Sequence, residues 1–327
     1  MLVRIIKDWK SPDLMRQTPD CSGIWDTIHF TEEEVEECDF LVVLNRFPKD
    51  STVVCNPANV FAINQEPPLQ ELQWMRLGYS NFHRVISPEF SFSPKIINDH
   101  PSLPWHVGKN YNELRALPCG KKEALISWVT SNVKCFPGHT HRLNFLNAIQ
   151  NKITFDLWGR GFNPLEDKWQ GIAPYKYSFA IENFSCKYYW TEKIADCYLA
   201  WTMPIYYGCK NIQAYFPPES MIYIDITHPE KALETIEKAI ADNSWEKSLP
   251  AIEHARNLIL ERYQFFPFIH TYISAFYKKG NAVRLNFKEL PYGCTSSSRK
   301  SPAIFSRMRA KINKGFEHFL NKKSSCL

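Results

Sequence analysis

The chain is expected to be an α/β protein: two Rossmann-like domains face each other across a cleft, with a basic amphipathic helix appended. Three observations carry this expectation. Apolar runs of strand length alternate with helical segments in two successive series, as in parallel sheets covered by helices on both faces. A length of 327 residues suits about two domains. Charge is segregated as well. From Arg299 onward stand Arg299, Lys300, Arg307, Arg309, Lys311, Lys314, Lys322 and Lys323 against Glu317 alone, a +7 stretch, so the formal +5 of the chain leaves −2 for the body.

The first series opens with Leu2–Ile6, a strand. Thr31-Glu-Glu-Glu34 has the form of a capping box before a short acidic helix. Asp39–Leu44 is a continuous apolar run of the buried parallel-strand kind. Val60–Ile63 is another and ends at Asn64-Gln-Glu-Pro-Pro68; Arg84–Ser87 follows as a strand. Residues 109–122 are polar, hold Pro118 and Gly120, and read as a linker. The second series has strands at Ala124–Val129, Ile153–Trp158, Tyr177–Ile181, Met203–Tyr207 and Met221–Asp225. Its helices are His141–Gln150, Glu192–Ala200, Pro229–Asp242 and Pro250–Arg262. Domains are therefore expected at 1–117 and 118–294, the last helices packing back on the first, with a tail at 295–327.

Composition narrows the function classes. With 44% hydrophobic and 22% charged residues the chain folds rather than staying disordered. No apolar run reaches membrane-spanning length, and Met1–Asp8 turns charged too soon for a signal peptide. The ten cysteines show no CxxC or zinc-type spacing, so reduced thiols in the cytoplasm are expected. A near-neutral body gives no ground for a nucleic-acid partner. Gly159-Arg-Gly161 lacks the third glycine of a dinucleotide fingerprint, and P-loop, GxSxG, HExxH and Asp-x-Asp patterns are absent. His139, His141 and Cys135 lack a fourth metal ligand; Glu37-Cys-Asp39 reads as a solvated acidic helix end.

The informative stretch is Tyr175–Tyr198. An apolar strand runs into Glu182-Asn183, a polar loop follows, and Thr191 caps a helix starting at Glu192-Lys193. Ile194, Cys197, Tyr198 and Trp201 give that helix a buried face. Open α/β sheets bind ligands at such strand ends, and helix amides with Lys193 suit a diphosphate. An ordinary capped helix with a solvent-facing Glu-Lys pair fits the same residues.

The stretch resembles the signature of the family-10 glycosyltransferases, the α1,3/α1,4-fucosyltransferases. The matching residues are Tyr175-Lys176, Phe179, Glu182-Asn183 and Tyr189-Trp-Thr191-Glu192-Lys193, then Met203–Gly208 and Phe216–Asp225. Upstream, Ser127–Asn132, Arg142 and Phe155–Arg160 resemble the family's serine-asparagine loop, helix arginine and aspartate–glycine turn. The resemblance covers roughly 124–226. In the more divergent first half, Ala62–Pro68 resembles the segment holding the family's glutamate base, here Glu66.

The resemblance implies inverting, metal-independent transfer of L-fucose from GDP-β-L-fucose to a hydroxyl of an N-acetyllactosamine-type glycan, with no cofactor. Glu66 would be the base, and Arg142, Glu182, Asn183, Tyr189, Glu192 and Lys193 would bind the donor. No membrane anchor is evident, so the soluble bacterial type is expected, working in lipopolysaccharide-type glycan synthesis. Transfer of another GDP-linked deoxysugar, or glycan binding without catalysis, are the competing readings. In the tail, Ile304, Met308, Ile312, Phe316 and Leu320 recur every four residues beside basic ones. That pattern suits an anionic membrane surface through 303–323, on the inner face of a bacterial plasma membrane; packing of the helix on the body is the alternative.

Overall fold

The structure, a computed structural model, describes residues 1–293, so the expected tail helix lies outside the described residues. The first part of the chain supplies β1 (Leu2–Lys7), β2 (Ile24–Trp25), β3 (Ile28–Thr31), β4 (Phe40–Leu44), β5 (Ser51–Cys55), β6 (Val60–Ile63), β7 (Arg84–Ser87) and β8 (Ile96–Asn98). All but β5 join one sheet in the order β2-β3-β1-β4-β6-β7-β8, parallel except at β2–β3. The continuous apolar run at β4 has a simple cause. Phe40, Val42 and Leu44 pack on one face of the sheet and Leu41 and Val43 on the other, so no position faces water.

A short helix, α1 (Tyr111–Ala116), leads to the second sheet: β9 (Ala124–Val129), β10 (Asp156–Trp158), β11 (Tyr175–Ile181), β12 (Met203–Tyr207) and β13 (Ile222–Tyr223). Its order is β10-β9-β11-β12-β13 and every pair is parallel. Around it stand α2 (Pro137–Ile149), α3 (Glu192–Leu199), α4 (Pro229–Ala241), α5 (Ser244–Lys247) and α6 (Leu249–Leu258), the last continued by a π turn at Ile259–Tyr263.

The chain then returns. In α7 (Phe265–Phe276), Phe265, Phe266, Ile269 and Ile273 are buried against Phe30, Phe40, Phe61 and Ile63 of the first sheet. A final strand, β14 (Val283–Phe287), pairs antiparallel with β5. Residues 99–107 tie the two sheets together. Asp99 accepts from the Tyr215 hydroxyl at 2.8 Å and the Tyr272 hydroxyl at 2.6 Å. His100 stacks on Trp190 with ring centres 4.4 Å apart.

Two expectations fail. Glu32–Glu34 form no helix: the Thr31 hydroxyl takes the Glu33 N–H at 3.1 Å, a local turn that satisfies the capping signature by itself. The chain beyond is extended because Val54 bonds it on both sides, donating to Glu36 O at 2.8 Å and accepting from Cys38 N at 3.0 Å. The expected linker at 109–122 contains α1, started by a capping box in which Asn110 and Glu113 bond each other's backbone N–H. Two expected strands are also shorter than drawn, leaving Ile153–Phe155 and Met221, Ile224 and Asp225 outside β10 and β13.

Candidate active site

In the second sheet β9, β11 and β12 run parallel, so their C-terminal ends share one edge. At the end of β11 stands Glu182, 1% exposed. A buried carboxylate costs several kcal/mol unless it is paired and hydrogen-bonded, and here it is both. Thr191 donates its backbone N–H at 2.8 Å and its hydroxyl at 2.8 Å, and the Lys193 ammonium lies 3.2 Å away. Gly208, ending β12, packs on this side chain: a Cβ there would fall 2.4 Å from Glu182 Cγ.

Thr191 is also the N-cap of α3, accepting from the Lys193 N–H. The first turn of α3 presents Glu192 and Lys193, and Lys193 Nζ sits 3.2 Å from Glu192 Oε1 as well. Burial acts against the Lys193 charge, but Glu182 and Glu192 outweigh it and raise its pKa. Burial likewise opposes the Glu192 carboxylate, yet Lys193, His106 and Lys168 hold its pKa well below the ordinary value. Glu182 itself is pushed up by burial, with Lys193 as the main counterweight. Lys193 is therefore a charged lysine fixed between two carboxylates at a helix N-terminus.

Arg142 reaches the same edge from α2. It donates from Nη1 to Asn183 Oδ1 at 2.7 Å and from Nη2 to Ser131 O at 3.2 Å. Its Nε is buried with no hydrogen-bond partner among the described residues, and burial lowers its pKa to about 10. The start of α2 presses on the same asparagine, since a Cβ on Gly138 would lie 1.5 Å from Asn183 O.

Further residues complete the network without having been singled out from the sequence. Lys168 bonds Asp196 at 2.6 Å, and Asp196 accepts the His106 N–H at 2.8 Å. The His106 ring lies 4.0 Å from Glu192. Their separations of 28 and 90 positions from Asp196 leave no local pattern to find.

Tyr189 is buried beside this group. Burial first, then Glu182, Glu66 and Glu192, push its hydroxyl pKa well above the ordinary value. Glu66 belongs to the other sheet. It lies just past β6 on a turn where Asn64 Oδ1 accepts its N–H at 3.2 Å. The structure thus gathers Arg142, Glu182, Asn183, Tyr189, Glu192 and Lys193 at one edge, while Glu66 stands on the first sheet, just past β6. Among the described residues no group of three His, Cys, Asp or Glu side chains is placed to hold a metal ion, and no helix is long and apolar enough to cross a membrane.

Comparison with known proteins bears on this edge. The domain described as "Glycosyltransferase family 10 (fucosyltransferase) C-term" matches residues 119–245. An alignment of 197 positions, covering 52% of this chain and 42% of the relative, is 34% identical to the GDP-fucose protein O-fucosyltransferase 3 of Danio rerio. An alignment of 128 positions, covering 37% of this chain and 35% of the relative, is 29% identical to the 4-galactosyl-N-acetylglucosaminide 3-alpha-L-fucosyltransferase 9 of Mus musculus. The chain thus spans less than half the length of these curated relatives. A solved alpha-glucosyltransferase, in complex with UDP and a 13-mer DNA, shares the fold at 9% identity, with a TM-score of 0.51 over 85% of this chain and 99% of that one. The two sheets are accordingly GT-B-like in fold, and residues 119–245 match a family-10 glycosyltransferase C-terminal domain.

Proposed function

We propose that the chain transfers L-fucose from GDP-β-L-fucose to a hydroxyl of an N-acetylglucosamine-containing glycan, with inversion, in α1,3 or α1,4 linkage and without a bound metal. Both relatives named above are fucosyltransferases by name. The observation that carries the proposal is the α3 N-terminus with Lys193 and Arg142 at one strand edge.

Each residue then has a physical task. The helix amides, Lys193 and Arg142 meet the charge that builds on the diphosphate as it leaves. Arg142 contributes directional N–H groups and Lys193 a point charge. Glu192 accepts hydrogen bonds from hydroxyls of ribose or fucose, while Asn183 and Tyr189 hold the nucleotide sugar. Glu182, buried and spent on Thr191 and Lys193, keeps the lysine in place. On the opposite face Glu66 removes the proton from the acceptor hydroxyl, whose oxygen bonds to the anomeric carbon as GDP departs with the electron pair.

The test is incubation with GDP-fucose and a panel of N-acetyllactosamine-type acceptors, followed by mass spectrometry, with EDTA in one arm. One fucose gained by an acceptor, undiminished by EDTA, is the expected result. GDP-fucose binding without transfer would point to a glycan-binding role, and preference for another GDP-sugar in calorimetry would change the donor. We further propose that the basic segment 303–323 holds the protein on an anionic membrane surface. Liposome flotation of the full chain against a 1–298 truncation tests this, and equal flotation removes the proposal.

A further inference from the structure

The first sheet has a second feature at its C-terminal edge. β1, β3 and β4 are neighbours and parallel, and a cavity of about 320 Å³ is lined by Arg4–Lys7 of β1, the segments just past β1 and β3, and the connection from β4 to β5. Open α/β sheets take ligands at such an edge. The cavity wall carries Arg4, Lys7, Lys10 and Lys49 against two carboxylates, Glu32 and Glu34. Lys7 is paired with Glu32 at 2.9 Å, and Lys49 with Glu34. Two positive charges are therefore left over.

Arg4 is one of them and is only 4% exposed. It spends Nη1 on Thr52 O at 3.2 Å, and its Nε is buried with no hydrogen-bond partner among the described residues. The guanidinium thus contributes positive charge to the cavity wall, where it also acts on Glu34. Lys10 stands exposed at the rim.

The cavity is also tied to the candidate base. Trp9, in its wall, donates its indole N–H to Gln65 Oε1 at 2.9 Å, and Gln65 precedes Glu66. From β1 the sheet passes through β4 to β6, and Glu66 stands three positions past the end of β6. Two strand spacings are about 10 Å, the scale of one neighbouring sugar in a glycan whose hydroxyl would lie at Glu66.

We infer that this cavity binds an anionic substituent, a carboxylate or phosphate, carried by the acceptor glycan. The inference rests on the proposed fucose transfer and adds the acceptor's chemical class to it. The apolar face of the sugar would lie along Trp9, with the anion between Arg4 and Lys10.

The experiment compares two acceptors that differ only by one such anionic group, using the full chain, its Lys10→Glu variant and its Arg4→Gln variant. The native chain should show a KM about tenfold lower for the anionic acceptor. Lys10→Glu, at an exposed position, should raise that KM about tenfold, leaving the KM of the neutral acceptor and the GDP-fucose dissociation constant unchanged. Arg4→Gln should act in the same direction. Equal KM values for the two acceptors in the native chain, or no change with Lys10→Glu, would overturn the inference while leaving fucose transfer standing. Inorganic phosphate, titrated by calorimetry, separates a free-anion site from an acceptor site. Lys10-dependent phosphate binding without preference for the anionic acceptor assigns the cavity to free anions and also overturns it. If neither acceptor is fucosylated, the functional reading fails instead, and phosphate binding that is equal in native and Lys10→Glu chains then rejects the anion site independently.

Discussion

The two edges that face each other are built by opposite means. The edge of the second sheet is a closed network in which Glu182, Thr191, Lys193 and Glu192 hold one another, with Arg142 locked on Asn183. The edge of the first sheet is made of turns and extended chain, with Glu66 on a loop and Glu32–Glu34 where a helix was expected. A nucleotide diphosphate presents the same charges in every turnover, so a rigid, pre-paired set of groups suits it. Acceptors vary, and loops on a scaffold are where variation is tolerated.

The contrast can be broken in stages. The largest effect belongs to Glu66→Gln: kcat should fall by roughly 10²–10⁴ with the GDP-fucose dissociation constant unchanged. Near-normal turnover by a folded variant would refute the base assignment. Lys193→Ala and Arg142→Ala should each lower kcat on the order of 10²-fold and, unlike Glu66→Gln, weaken GDP binding in calorimetry. If GDP affinity survives both changes, the nucleotide lies elsewhere.

Gly138→Ala tests the packing of the second edge without touching a charge. Its Cβ would meet the Asn183 carbonyl oxygen at 1.5 Å, backbone against backbone, so a loss of about 3 kcal/mol is expected in chemical denaturation. An unchanged midpoint would mean that α2 shifts freely. The smallest effect concerns the junction between the edges. His100 is fully buried, and burial lowers its pKa from 6.5 to about 4. Between those values the unfolded chain binds a proton that the folded chain refuses, so stability should fall as pH drops through this window, by at most about 3 kcal/mol. His100→Gln should flatten that slope, and an identical slope would assign the acid sensitivity to other groups.

Much of this was legible in the sequence, for reasons that differ by region. Buried parallel strands such as Phe40–Leu44 are apolar at every position because both faces are covered, so they stand out. The Thr191 cap, with Glu192 and Lys193 behind it, announced the start of α3. The acidic run at Glu32–Glu34 misled because one hydroxyl bond satisfies the same signature without a helix. The capping box at Asn110 and Glu113 was present but lay in a segment with a linker's composition. The Lys168–Asp196–His106 cluster was invisible, since only folding makes neighbours of them.

The return of α7 to the first sheet has a consequence for how the protein is made. Its phenylalanines cover strands completed more than two hundred positions earlier, Phe266 packing on Phe30 with ring centres 5.0 Å apart. Synthesis proceeds from the N-terminus, and domains ordinarily settle in that order. Here the first sheet leaves the ribosome with an apolar face bare, and it stays so until residues 265–276 emerge. The second sheet, complete before α7, can form first and hold the earlier one in waiting. A nascent chain stalled before Phe265 would expose that face and be a natural client for chaperones.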